Sequence, residues 1–252
     1  MRAFTAVLSR DVLVTWRELP SFLLQTIVQP LFVLFVFGTV LTDLGYVQSG
    51  YGAVLLPGII ALTGFFGAVQ QTSIPLTLDF SWTREIEDRL LAPMPIHLVG
   101  VEKILFGALR GLVSALCMVP IGFVLLDTTW PLPSLPLALG VLTLGTFCGA
   151  ALGLVLGTVV HPDRINTVFA VLVTPMMFTG ATQFPLPQLD NLPWFQWVCA
   201  LNPLTYVSEG MRALLVPAVP HVPLWVCLDV LFVTTALFGW IGVKGFLRRS
   251  LD

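Results

Sequence analysis

Charge is what this sequence has least of. Only 12 basic and 14 acidic side chains occur in 252 residues, a charged fraction of 10% against an apolar fraction of 56%. Soluble domains carry roughly a quarter charged residues. The shortage excludes an ordinary water-soluble globule, no nucleic-acid partner is expected, and the chain reads as an integral membrane protein.

Reactive chemistry is equally sparse. Cys117, Cys148, Cys199 and Cys227 form neither a CxxC pair nor a metal-ligand spacing, so they read as small hydrophobes. His97, His161 and His221 are scattered over both membrane sides and do not make one site. There is no G-x-x-x-x-G-K-[ST] phosphate loop, no G-x-S-x-G and no H-E-x-x-H. No catalytic residue, bound cofactor or metal is expected on this chain. Charges well inside the apolar runs are also few: Arg110 and Asp229 lie toward opposite ends, and Asp79 and Asp127 at boundaries. Ion-coupled transporters need intramembrane carboxylates and paired broken helices, so any driving force must come from outside the chain.

What the sequence does have is long apolar runs. Six are long enough for about 30 Å of hydrocarbon at roughly 20 residues each, near 21–41, 53–74, 104–126, 135–159, 165–182 and 222–243. The fifth is the shortest and carries Thr174-Pro175. The first exceeds a signal-peptide core and no A-x-A site follows, so it is expected to remain as a span. Residues 1–19 read as an interfacial helix, with Arg2, Arg10 and Arg17 on one arc and Phe4, Val7, Leu8, Val12, Trp16 and Leu19 over the rest. Eleven of the 12 basic residues fall on one side or at its edge, and Arg212 alone falls on the other. The positive-inside rule then puts both termini and the 75–103 segment in the cytoplasm.

Within that segment, Ser81–Lys103 is the one densely charged stretch. Arg84 faces Asp88 and Glu85 faces Arg89 at helical i,i+4 spacing, while Ile86 and Leu90 share another face. Pro93 and Pro95 stop the helix. A short amphipathic cytosolic helix over 82–95 is expected, followed by a helix that re-enters the membrane. Charge pattern alone leaves open a solvated loop or a docking element for a soluble partner.

Two further patterns stand out. Gly145, Gly149, Gly153 and Gly157 repeat every four residues on one face, which lets a neighbouring helix approach closely; Gly107 and Gly111 repeat the device in miniature. The segment 183–220 is too apolar for a solvated loop and is cut by prolines into pieces too short to span. Asn202-Pro203 has helix-start chemistry, and two short helices forming a re-entrant hairpin on the outer side are expected. Glu209 and Arg212 share a face of the second and are placed to pair. Phe32, Phe35, Phe37, Phe65, Phe66, Phe169 and Phe178 read either as lipid-facing or packing side chains or as the lining of an apolar path.

The run REIEDRLLAPMPIHLVGVEK between the second and third apolar runs, and LNPLTYVSEGMRALL before the last, resemble the permease subunits of ABC-2 type exporters. The likeness extends over essentially the whole chain. It implies an all-α fold of six transmembrane helices with an N-terminal interfacial helix, a cytosolic coupling helix and an outer re-entrant hairpin. It also implies two permease chains, expected as a homodimer, and two copies of a separate ABC ATP-binding subunit that holds ATP and Mg. By resemblance, Arg84, Glu85, Ile86, Asp88, Arg89, Leu90, Leu91, Pro93 and Pro95 seat in that subunit, and Asn202, Pro203, Thr205, Tyr206, Glu209 and Arg212 form the outer hairpin or gate. The coupling stretch departs from the family in carrying more acid than base. The implied function is export of a lipid, amphiphilic drug, glycolipid or glycan across the plasma (inner) membrane. A non-transporting membrane scaffold or sensor is the alternative from another class.

Overall fold

A helix that is apolar all round belongs either in lipid or at the centre of a bundle, and this chain contains both kinds. The structure, a computed structural model, describes residues 23–24, 26–48, 50–79, 95–126 and 128–249. The expected interfacial helix 1–19, and 82–94 of the coupling helix, lie outside the described residues. Among those described there is no strand. The helices are α1 (Thr26–Asp43), α2 (Tyr51–Leu78), α3 (Ile96–Leu126), α4 (Leu135–Val159), α5 (Phe169–Thr179), α6 (Pro193–Ala200), α7 (Pro203–Leu215) and α8 (Leu224–Arg249).

Five of these, α1, α2, α3, α4 and α8, are long and apolar enough to cross a membrane. They coincide with five of the six expected spans, although α3 begins at Ile96 rather than near 104. The run near 165–182 gives something shorter. Helical backbone extends from Ile165 to Thr179, beginning with one α-turn, passing through a π-helical turn at Phe169–Val173 and ending in α-helix. At 1.5 Å per residue that is roughly 22 Å, less than the hydrocarbon thickness. The helix stops because Ala181 takes a left-handed φ of 48° and the chain stays irregular to Pro185.

The central element is α2, buried along nearly its whole length and packed by α3, α4 and α7; α8 closes over α4 and α7. Its hydroxyl side chains Thr63, Thr72, Ser73 and Thr77 donate to carbonyls one turn back at 2.7–3.0 Å, so these four hydroxyls are satisfied within the core. Helix backbones meet where side chains are missing. A Cβ at Gly153 of α4 would lie 2.6 Å from the Val69 carbonyl oxygen, and one at Gly149 would overlap that of Phe65. Gly157 lies against Leu76 and Ser73 of α2, whereas Gly145 lies against Val207 of α7. Phe65 and Phe66 do not line a path. They are buried in the core, edge to face at 5.5 Å, whereas Phe32, Phe35 and Phe178 are exposed.

Exposed tryptophans mark the two ends of the bundle. Trp194, Trp197 and Trp225 sit near the α6–α7 hairpin, and Trp240 sits toward the opposite, charged end with Lys244 3.8 Å above its ring. Such belts form at membrane–water interfaces. Cys148, Cys199 and Cys227 are buried, Cys117 is half-buried, and all four thiols are free.

Candidate functional site

Where a helix ends, its last carbonyls lose their partners, and at membrane depth each such loss is costly. The run 202–212 answers this at the hairpin end. Asn202 caps α7 by accepting the Leu204 N–H at 3.0 Å, with Pro203 at the first helical position. The Asn202 amide also donates to the Met176 carbonyl at 2.7 Å, near the end of α5. Thr205 donates to Cys199 O at 2.6 Å and Tyr206 to Ala200 O at 2.8 Å, closing the end of α6. Ser208, which sequence reasoning did not single out, donates to Gly180 O at 2.8 Å just past α5. Its position inside the LNPLTYVSEGMRALL run was the available signal.

Glu209 and Arg212 form a fully buried ion pair in the same network. The two Glu209 oxygens also accept the backbone N–H groups of Leu186 (3.1 Å) and Val222 (2.9 Å). Arg212 donates through Nη2 to the carbonyl of Ala181 at 3.0 Å and through Nε to that of Val54 at 3.4 Å. The strained turn at Ala181 is therefore held by a guanidinium. Gly58 completes the junction, because a Cβ there would overlap the Thr182 carbonyl and push α2 off the 180–184 backbone. Tyr51 at the start of α2 donates to Gln183 O at 2.5 Å.

At the charged end, Arg84, Glu85, Ile86, Asp88, Arg89, Leu90, Leu91 and Pro93 lie outside the described residues. Pro95 is exposed, and its carbonyl accepts the Leu98 N–H at 2.9 Å as α3 begins. The root of the segment joining α2 to α3 is tied by an ion pair, Lys103 Nζ to Asp79 Oδ2 at 2.7 Å, nearly buried on both sides. Asp79 precedes the charged stretch and Lys103 ends it, so the sequence marks Asp79 only as a boundary charge. Glu102 beside it is fully buried.

A third polar group lies between these ends. Thr26 and Gln29 of α1, Thr63 and Gln70 of α2 and Met177 of α5 line a small recess, with Gln29 Nε2 3.4 Å from Met177 Sδ. Gln29 is exposed. A glutamine facing bulk lipid is costly, so this side of α1, α2 and α5 suits protein or water. Gln29 follows Gln25 and Thr26 in one apolar run, and Gln70 opens the polar run Gln70-Gln71-Thr72-Ser73 in another, but nothing in the sequence shows the two converging. Among the described residues no group of three His, Cys, Asp or Glu is placed to hold a metal ion.

Comparison with known proteins agrees with this architecture. A family model described as ABC-2 type transporter matches residues 2–216. The ycf38 transport permease of Porphyra purpurea is 31% identical over 225 residues, covering 82% of this chain and 72% of the relative. The inner membrane transport permease YadH of Escherichia coli K12 is 26% identical over 227 residues, covering 86% of each. Nodulation protein J of Sinorhizobium fredii is 25% identical over 164 residues, 64% of this chain and 61% of the relative.

Proposed function

Because this chain belongs to the ABC-2 type transporter family, as a multi-pass membrane component with no ATPase of its own, we propose that it is the translocating subunit of an ATP-driven exporter. ATP and Mg belong to a separate ATP-binding subunit, present in two copies. A second copy of this chain completes the path, docking over the α1–α5 side where the Gln29–Gln70 recess opens. Both termini and the 80–94 segment face the cytoplasm, and the α6–α7 hairpin lies in the outer leaflet of the plasma (inner) membrane. The cargo is amphiphilic: a lipid, a drug or a glycolipid or glycan.

One observation supports coupling more than any other. At its charged end, α2 runs into Asp79, which is tied to Lys103 at the root of the 80–94 segment. At its other end Val54 and Gly58 touch Arg212 and Thr182. A single buried rod thus joins the cytoplasmic segment to the hairpin network, so a push on one is felt at the other. The expected coupling helix over 82–95 meets the ATP-binding subunit through Ile86, Leu90 and Leu91.

Burying two or three such side chains contributes roughly 3–6 kcal/mol before the costs of association. Leu90→Asp is therefore expected to release a coexpressed ATP-binding subunit while the permease still inserts. The readouts are copurification and ATPase activity of the complex. Copurification and activity equal to wild type would place the docking surface elsewhere.

A further inference from the structure

A glutamine amide carries two donors and an acceptor oxygen, and in the middle of a bilayer no bulk water answers for those left empty. Thr63, in the wall of the recess between α1, α2 and α5, lies about 18 Å along α2 from Tyr51 and about 22 Å from Leu78. The recess is therefore near the middle of the span. Its volume is about 30 Å³, room for a water or a hydroxyl group, and its open wall is more polar than apolar. Thr26 and Thr63 are nearly sealed, so the open polar side-chain surface belongs to Gln29 and Gln70. Neither amide has its partners among the described residues. Gln29 has only the Met177 thioether at 3.4 Å, a weak acceptor. Gln70 makes no side-chain hydrogen bond, and its amide atoms are open rather than sealed.

The two amides define the chemistry of the missing group. No charged residue is among those that line the recess. Arg110 of α3, next in sequence to the Gly111 that meets Gly67, lies over the Phe106 ring, 5.5 Å from its centroid. A phosphate or carboxylate would offer acceptors alone and an ammonium donors alone, each bringing a charge that no lining residue offsets. A hydroxyl does both, accepting from one amide and donating to the other. A second copy meeting this side would bring chiefly hydrocarbon, since Val28, Phe32, Val171 and Phe178 are its exposed neighbours on α1 and α5. The same side chains suit the apolar body of an amphiphile. We propose that Gln29 and Gln70 select the cargo by hydrogen-bonding a hydroxyl of a neutral, sugar-bearing lipid, a role that rests on the α1–α5 side being a wall of the export path. A site built to pair with a hydroxyl rejects the analogue without one, because its own polar groups are then left empty.

The test measures equilibrium binding of lipids to the full chain in a sugar-free detergent, without an ATP-binding subunit, so it reads the site apart from export. The probes are a monoglucosyl diacylglycerol, phosphatidic acid with the same chains, and an alkyltrimethylammonium cation. The glucolipid is expected to bind tightest. Gln29→Leu and Gln70→Leu keep bulk and helix propensity, and each should weaken the glucolipid about fivefold, the worth of one hydrogen bond, while phosphatidic acid binds as before. Equal affinity of the wild type for all three probes would overturn the site, and so would variants that keep the preference. Gln29→Leu that loses self-association but not lipid preference would make the amides a clasp between copies instead. Methyl glucoside competing as well as the glucolipid would overturn the lipid-borne sugar in favour of a free glycan. In the complex with the ATP-binding subunit, phosphatidic acid export undiminished by Gln70→Leu would remove this site and leave the exporter standing. A glucolipid preference that needs both amides, in a complex that exports nothing, would do the reverse.

Discussion

Arg212→Met is expected to be among the most damaging single changes in this protein, lowering stability by about 3–5 kcal/mol, the cost of stranding one member of a buried ion pair. Glu209 would remain fully buried without its cation. The carbonyls of Ala181 and Val54 would lose their donor, and the left-handed turn at Ala181 would lose its tether. The measurement is the yield and thermal midpoint of purified permease. If the pair is a brace, transport falls in proportion to the folded amount. If it is a gate that breaks during the cycle, Glu209→Gln leaves the protein folded and raises basal ATPase activity of the complex.

The charge swap Glu209→Arg with Arg212→Glu sharpens the choice. Mutual attraction alone would let the swap restore function. The surroundings are not symmetric, however: position 209 is ringed by backbone N–H donors from Leu186 and Val222, and position 212 by carbonyl acceptors. The swapped pair would set cation against donor and anion against acceptor. The double variant is therefore expected to be no more stable than either single one, and a full rescue would refute the brace.

Gly149→Leu carries the other large expected effect. The position faces the backbone of α2, and even a Cβ overlaps the Phe65 carbonyl. Lipid offers no hydrophobic gain to compensate a side chain that holds two helices apart, and overpacking costs roughly 1–3 kcal/mol even where neighbours can yield. Backbone yields less than side chains do, so loss of assembled protein is expected. Gly140→Leu serves as the control, because a Cβ at Gly140 would meet nothing within 4 Å, and this variant should assemble normally. Equal yields of the two variants by size-exclusion chromatography would show that α4 does not need this contact.

The parts of the fold that were legible in the sequence are those set by local chemistry. α4 occupies 135–159, as its apolar run indicates, and α7 starts where Asn202 and Pro203 say a helix can start. The end of α5 was not legible, because the apolar run continues past it. What stops that helix is tertiary: Gly180 pressed against Leu204, and Ala181 held by Arg212. Phe65 and Phe66 could not be told from lipid-facing aromatics, since α2 is apolar on every side and periodicity carries no inside–outside signal. In the site, the Glu209–Arg212 pair followed from helical spacing, but its backbone partners at 54, 181, 186 and 222 come from other elements. The Asp79–Lys103 tie depends on α2 and α3 lying side by side, which no spacing encodes.

The partners of the buried pair also set an order of events during synthesis. Val54 emerges early, Arg212 some 158 positions later, and Val222, which completes the coordination of Glu209, later still. A nascent chain that has reached only Leu215 carries a carboxylate with an incomplete shell. The backbone of α2, α3 and α4 is therefore synthesised before the hairpin has all its partners. The polar shell of Glu209 is thus completed last, by a residue that follows the hairpin in the chain.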